Sequence, residues 1–314
     1  MAVHKIKSFI RHNQGFFQGA GGLELHYQSW HPASPPKAVV VGVHGHGDHS
    51  GGLGNIAQHL VIQGYIWYGL DLRGHGRSPG RQGHVQTWKD YQEDLKAFIL
   101  WIRNQEADPP LFLLGHSLGG LICLEYALQY PSELQGVIAV SPALSYSGLS
   151  PVCLKIIRIL SLVRPEYTIE LRPDYTKLTR DTEAAEILAA DPLRHAKMTL
   201  RLGRELLNSG NQVRARAHDL KVPLLMLYGL SDPITPAEGS RRFFGPVVLA
   251  DKERHEYPQS LHRPFDDVNR AEVLGHLSAW LNRQADATFL PEKVRFIRSS
   301  TSAEAISTKS KASI

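Results

Sequence analysis

Two glycine-rich stretches carry the side chains from which hydrolytic chemistry is built: "VHGHGDHSGG", Val43 to Gly52, and "GHSLGG", Gly115 to Gly120. The second has the form G-x-S-x-G around Ser117. The run "PLFLLG" before it reads as a strand, and "SLGGLICLEYALQY" after it reads as a helix. At such a turn the flanking glycines let the serine adopt a strained conformation. Its hydroxyl then projects above the sheet edge, at a helix N-terminus whose partial positive charge favours an oxyanion. The competing role is a serine that only caps the helix; the strand before and the helix after favour the nucleophile. A serine nucleophile needs a base, and the base an orienting acid, in the chain order Ser, acid, His. Asp232 follows the apolar run "LLMLYG" in "GLSDPITP", where its carboxylate would face the same sheet edge; its competing role is to cap the turn before Pro233. Two histidines compete as base. His255 lies within the short strand "ERHEY", and His262 in the loop after "PQS". A loop at the carboxyl edge of a strand can swing a ring over Ser117, which selects His262 and leaves His255 as a solvated or packed strand residue.

The first stretch admits two readings. Its spacing, H-x-H-x-D-H, resembles the zinc signature of the metallo-β-lactamase superfamily, hydrolases that use an activated water. That resemblance implies His44, His46, Asp48 and His49 as ligands, with His116 as a further histidine. Three features oppose it. Only 43 residues precede His44, too few for the strands that usually lead into this signature. No Asp lies between His116 and Asp174, where a bridging ligand would be needed. The residues after His116 have helical rather than hairpin character. In the other reading the stretch is a Gly-rich loop, similar to the His-Gly loops of lipases and esterases, that offers a backbone N–H to the reaction centre. The donors would then be the backbone N–H groups of His46 and Leu118, with no role for the His46 side chain.

These residues need a frame. "LELHYQSW", "KAVVVGVH", "YIWYGLDL", "PLFLLG", "QGVIAVS", "VPLLMLYG" and "ERHEY" read as strands. Several are continuous apolar runs, as expected of strands covered on both faces. Between them lie helical patterns: "NIAQHLVIQ", a helix opened by Thr87 and Asp90, the helix after Ser117, a helix opened by Thr235, Pro236 and Glu238 with Thr235 as cap, and "VNRAEVLGHLSAWLNRQ". The alternation implies an α/β protein, a mostly parallel sheet flanked by helices. It stops between Ser145 and Asp219, where the sequence reads as helix only. The expected organisation is an N-terminal extension (1–20), a core (21–144 and 219–284), a helical cap or lid insertion (145–218) and a disordered tail (285–314).

Composition narrows the function classes. The chain has 314 residues, 42% of them hydrophobic, which supports a sizeable core. Its 35 basic and 30 acidic residues give +5, but the basic residues are scattered without interleaved aromatics, so nucleic acid is not an expected partner. The two cysteines, Cys123 and Cys153, read as small buried hydrophobes rather than a disulfide. No run reads as a signal peptide or a membrane span, so a cytoplasmic protein is expected.

Taken together, "VHGHGDHSGG", "GLDLRGHGRSPG", "LLGHSLGG", "VSPAL", "YGLSDPITP" and "YPQSLHRPFDDVNRAEV" resemble the α/β-hydrolase superfamily, and within it the monoacylglycerol lipase and lysophospholipase group, over most of residues 20 to 283. The resemblance implies the α/β-hydrolase fold, Ser117 as nucleophile, Asp232 as acid, His262 as base, and no cofactor. One departure is visible. Several monoglyceride lipases read H-G-x-G-E-H-S-G-R, the Arg helping to frame the polar alcohol end of the site; here Asp48 stands for Glu and Gly52 for Arg. The expected activity is hydrolysis of acyl esters such as monoacylglycerol or lysophospholipid through an acyl-enzyme. Acyl transfer by the same triad and zinc-dependent hydrolysis at the H-x-H-x-D-H stretch are the alternatives, and a non-catalytic binding protein on this fold is a third. The segment "PVCLKIIRILSLVRP" opens the insertion as an apolar helix whose charges, Lys155, Arg158 and Arg164, are all basic. Such a helix is expected either to pack on the core or to touch a lipid surface.

Overall fold

Strands written as unbroken apolar runs must be covered on both faces, and they are. The computed structural model describes residues 10–107, 109–146, 151–170 and 174–288. Its main sheet has eight strands: β1 (Arg11–Gln18), β2 (Glu24–His31), β3 (Val39–Val43), β4 (Ile66–Leu70), β5 (Leu111–His116), β6 (Gly136–Val140), β9 (Leu224–Gly229) and β10 (Lys252–Tyr257). Their spatial order is β1-β2-β4-β3-β5-β6-β9-β10. The two pairings β1–β2 and β2–β4 are antiparallel, and all the others are parallel. Every residue of β3, β4, β5, β6 and β9 is buried.

Helices cover the two faces. Helices α2 (Lys89–Gln105), α3 (Leu118–Gln129) and α7 (Ala237–Phe244) pack on one, in a core that includes Phe98, Ile99, Leu121, Ile122 and Phe243. Helices α1 (Gly54–Ile62) and α8 (Arg270–Thr288) pack on the other, around Trp67, Phe112, Leu277 and Trp280. The α/β sandwich with a mostly parallel sheet is the expected fold class. Register fixes where the motifs lie. Val43 pairs with Gly115, His116 with Val140, and Val140 with Leu227. The carboxyl ends of β3, β5, β6 and β9 therefore stand side by side, and the loops carrying His46, Ser117 and Asp232 leave the sheet from one edge.

Four local expectations need correction. Strand β1 lies in the segment taken as an extension. Its sequence, "RHNQGFFQ", is mostly exposed and polar because it is an antiparallel edge strand with only Phe17 buried. The insertion is not helix alone. Besides α4 (Pro151–Val163), α5 (Thr182–Ala190) and α6 (Leu200–Ala215), it holds two short antiparallel strands, β7 (Thr168–Glu170) and β8 (Lys197–Thr199). "KMT" thus precedes the helix it was read into, and the Thr199 hydroxyl caps α6 by accepting the Leu202 N–H at 3.2 Å. Helix α7 starts at Ala237 without a side-chain cap, because Thr235 is engaged elsewhere. Helix α8 runs three residues past Ala285, and the tail expected from there otherwise falls outside the described residues. Cys123 is a free buried cysteine in α3, while the Cys153 side chain is outside the described set. No described helix is long and apolar enough to cross a membrane.

Candidate active site

Ser117 joins β5 to α3 with φ 54° and ψ −116°, one of two non-glycine residues at positive φ among those described. Such a conformation costs on the order of 1–3 kcal/mol and persists only where the surroundings enforce it. Here the Ser117 N–H donates to Val140 O at 3.0 Å, while its carbonyl accepts from Ala143 N at 3.0 Å and Leu121 N at 3.1 Å. The turn also needs the second motif glycine, since a Cβ on Gly119 would lie 2.1 Å from Val43 O. Ser117 occupies the N-cap position of α3, yet its side chain makes no capping bond. Among residues 111–120 it alone is not fully buried. The helix-capping bond is thereby absent, and Ser117 keeps partial exposure at the turn between strand and helix.

Asp232 and His262 meet. Nδ1 of His262 lies 2.8 Å from Asp232 Oδ2, and both residues are buried. The same carboxylate accepts the Thr235 hydroxyl on Oδ2 at 2.7 Å, and the Ile234 and Thr235 N–H groups on Oδ1 at 2.8 and 3.0 Å. The turn-capping role of Asp232 and its bond to His262 therefore coexist, one on each oxygen. Burial would raise this carboxyl, but the His262 charge and hydrogen bond, with the Thr235 hydroxyl and the Ile234 N–H, hold it below its ordinary value. A carboxylate kept ionised beside Nδ1 fixes the tautomer that leaves Nε2 free to take a proton. The His262 carbonyl accepts from His116 Nε2 at 3.1 Å, and the two rings lie 4.8 Å apart. The residue preceding Ser117 thus secures the loop that carries His262. His255 is not in this group; it stacks on His276 at 3.8 Å and bonds Glu253 at 2.6 Å, on the edge strand.

Of the two residues named from the sequence as backbone donors, Leu118 follows Ser117 in the chain and His46 follows a glycine packed against it. Leu118 is the first residue of α3, so its N–H has no acceptor within the helix. His46 follows Gly45, whose Cα is packed so close that an added Cβ would be 3.1 Å from Ser117 Cβ. The His46 ring sits among His75 and His195, 5.6 and 5.4 Å away, and burial with the charge of His195 pushes it down to about 3.

Two of the three histidines of the H-x-H-x-D-H stretch, His44 and His49, commit both ring nitrogens to the protein itself, whereas neither ring nitrogen of His46 has a hydrogen-bond partner. His44 Nε2 accepts the Leu72 N–H at 2.9 Å, so its Nδ1 is the donor to Gly45 O at 2.7 Å. His49 Nδ1 accepts the Gly51 N–H at 3.1 Å, and its Nε2 donates to Asp191 Oδ2 at 2.7 Å. Asp48 faces two arginines, Arg194 and Arg263, each at 2.5 Å. A metal needs ring lone pairs that these bonds consume. No cluster of three or more potential ligands is arranged around one point among the described residues.

Four groups near the site, Arg194, Arg263, His75 and His195, have no role assigned from the sequence, and a fifth, Thr235, has a different one. Thr235 was read as a helix cap because it precedes Pro236, a local signal that a carboxylate three residues upstream outcompetes. Arg263 adjoins His262 in the chain, which is a usable signal. Arg194 and His195 lie in "DPLRHAK", where nothing marks them.

The hydrolase family described as serine aminopeptidase, S33, matches residues 34–269. A monoacylglycerol lipase of Mycolicibacterium smegmatis is 32% identical over 267 residues, 84% of this chain and 95% of the relative. The monoglyceride lipase of Rattus norvegicus is 29% identical, over 87% of this chain and 92% of its own. The crystal structure of Paleococcus ferrophilus monoacylglycerol lipase superposes with a TM-score of 0.77 at 32% identity, covering 83% of this chain and all of that one. The chain belongs to the monoacylglycerol lipase-like group of the α/β-hydrolase superfamily. It is a carboxylic ester hydrolase. Strained Ser117 follows the carboxyl end of β5 and Asp232, bonded to His262, follows that of β9, with β6 between these parallel strands. The family description names a peptidase and the relatives are lipases, so the fold alone does not decide the substrate.

Proposed function

We propose that the chain hydrolyses acyl esters of small alcohols, monoacylglycerol first among them and lysophospholipid next, through an acyl-serine intermediate. Ser117 Oγ attacks the ester carbonyl while His262 Nε2 takes its proton; Asp232 holds the imidazole tautomer and stabilises the imidazolium. The tetrahedral oxyanion is received by the N–H groups of His46 and Leu118. Collapse breaks the bond to the alcohol, which leaves with the proton from His262. Water then repeats the sequence on the acyl-serine, releasing the carboxylic acid and free Ser117. The observation that carries the reading is the strained, uncapped Ser117 at the sheet edge where His262 is bonded to buried Asp232. The names of the relatives, monoacylglycerol and monoglyceride lipase, support the alcohol as glycerol.

Residues 145–218 act in this reading as a cap over the site. Helix α4 exposes Ile156, Ile159, Leu160, Leu162 and Val163, the last two at 72% and 70%, beside Lys155, Arg158 and Arg164. An exposed apolar face with only basic charges suits an anionic lipid surface and supports peripheral membrane contact.

The test is a fluorophosphonate label and an ester screen. Ser117→Ala is expected to lose labelling and turnover, and His262→Ala to lose about 10³-fold or more in rate, while His255→Ala stays near wild type. The screen varies acyl length and head group, adds an alcohol acceptor, and includes aminopeptidase substrates. Full turnover by the Ser117→Ala protein, or activity confined to the peptides, would overturn the reading.

A further inference from the structure

Asp48 lies between the loop that carries His46 and two arginines from distant parts of the chain. Its Oδ1 receives Arg194 Nη1 at 2.5 Å and the His49 N–H at 2.9 Å; its Oδ2 receives Arg263 Nη1 at 2.5 Å. Arg263 adjoins His262, donates through Nε to Asp266 at 2.7 Å, and bonds the Gly52 carbonyl. Arg194 belongs to the insertion, and its neighbours extend the contact. Asp191 accepts from His49, and the His195 N–H donates to Gly47 O at 3.1 Å. Three successive residues of the His46 loop, Gly47, Asp48 and His49, are therefore each held by residues 191–195.

Position 52 explains why the guanidinium arrives from elsewhere. A Cβ on Gly52 would lie 2.0 Å from Asp48 Oδ1, so no side chain fits there while Asp48 keeps this place. The motif of several monoglyceride lipases puts Arg at that position and Glu, one methylene longer, at position 48. Here a shorter acid and a glycine leave room for arginines supplied by the insertion and by the residue after His262.

We propose that Arg194 is a positioning residue: by seating Asp48 it holds the His46 N–H toward Ser117, so the oxyanion site is complete only while residues 191–195 are docked. The inference rests on the assignment of Ser117 and the His46 N–H above. Burial would raise the Asp48 carboxyl, but Arg263 and Arg194, aided by His44 and His49, hold it far below its ordinary value, so the pair stays ionised across the working range. Buried ion pairs are poor glue compared with apolar packing of the same volume. What a guanidinium adds is a fixed direction for the carboxylate it grips. Arg194 has no assigned contact with the reacting atoms and acts through Asp48.

The experiment measures steady-state turnover of a short soluble ester, per active site titrated with the fluorophosphonate. Arg194→Met is expected to lower kcat roughly 10- to 100-fold with KM changed less than about threefold, the loss that a displaced but present oxyanion donor would cause. The labelling rate should fall in parallel. Arg194→Lys, which keeps a cation for Asp48, and millimolar guanidinium added to Arg194→Ala should each restore a large part of the rate. Glu166→Gln breaks another contact between insertion and core, the exposed pair with Arg81 at 2.9 Å, and should leave kcat unchanged. Should the Met variant fold poorly, Arg194→Gln is read in the same way. Wild-type kcat in the folded variant, a loss carried by KM alone, absence of rescue, or an equal loss in Glu166→Gln would overturn the inference. Turnover surviving in Ser117→Ala would instead overturn the assignment on which it rests.

Discussion

Acid should weaken this protein through the His46 side chain, a ring with no proposed part in catalysis. The ring is buried beside His195, with His44 and His75 close by and Arg194 and Lys197 on the docked segment. Burial and the charge of His195 push it from an ordinary 6.5 down to about 3, against the Lys197 backbone, which favours the proton. The sign follows from proton counting. Between those two values the unfolded chain holds a proton on His46 that the folded chain refuses. Stability is thus intact above about pH 6.5, falls as pH drops through the window, and stops falling below about 3. The slope is about 1.4 kcal/mol per pH unit, so roughly 2 kcal/mol is lost by pH 5 from this ring alone. The assay is urea unfolding of wild type and His46→Gln at pH 7.5, 6 and 5. Glutamine keeps the backbone donor and removes the titration. Wild type should lose about 2 kcal/mol more than the variant over that range, whatever their difference at pH 7.5. Equal losses would refute the account of a ring kept neutral by burial and by the charge of His195.

Two further outcomes follow from named contacts. Thr235→Val removes the hydroxyl that donates to Asp232 Oδ2, and one such bond, about 1–2 kcal/mol, should lower kcat/KM roughly 5- to 30-fold; unchanged kcat/KM would make the hydroxyl incidental. The wild type should bind anionic vesicles and favour dispersed lipid over a short soluble ester, and Ile156→Asp with Ile159→Asp should weaken vesicle binding while soluble-ester turnover survives. Absent binding by the wild type would remove the lipid-surface role of α4.

The sheet was legible because strands buried on both faces are written without polar interruption, as "VVVGV" and "LLMLYG" are. Strand β1 was not, because an exposed antiparallel edge needs no apolar period, and its single buried side chain, Phe17, is no pattern. The short strands β7 and β8 were hidden for another reason. Three residues each carry too little periodicity to compete with flanking helices, and their pairing is a tertiary choice. Within the candidate site, the proposal of Ser117 rests on motif and context together, and that of Asp232 and His262 on chain order and strand-end placement. Side chains that act by bridging segments far apart in sequence, such as Arg194 to Asp48 across 146 positions, leave no local signature.

The H-x-H-x-D-H stretch shows why such a motif needs more than spacing. Metal loops and oxyanion loops both require glycines and polar side chains in a short span, so the same letters serve either. What separates them is where the lone pairs go. A ligand histidine must keep one nitrogen unprotonated and uncommitted, whereas His44 gives that nitrogen to the Leu72 N–H and His49 gives it to the Gly51 N–H. The polar residues here are instead the loop's fastenings: His44 to Leu72, just past the end of β4, His49 and Asp48 to the insertion, and Asp48 again to the residue beside His262. Each fastening leaves the backbone between Gly45 and Gly47 with less freedom. Reduced freedom at that point is what a backbone donor must have if it is to meet an oxyanion without reorganising.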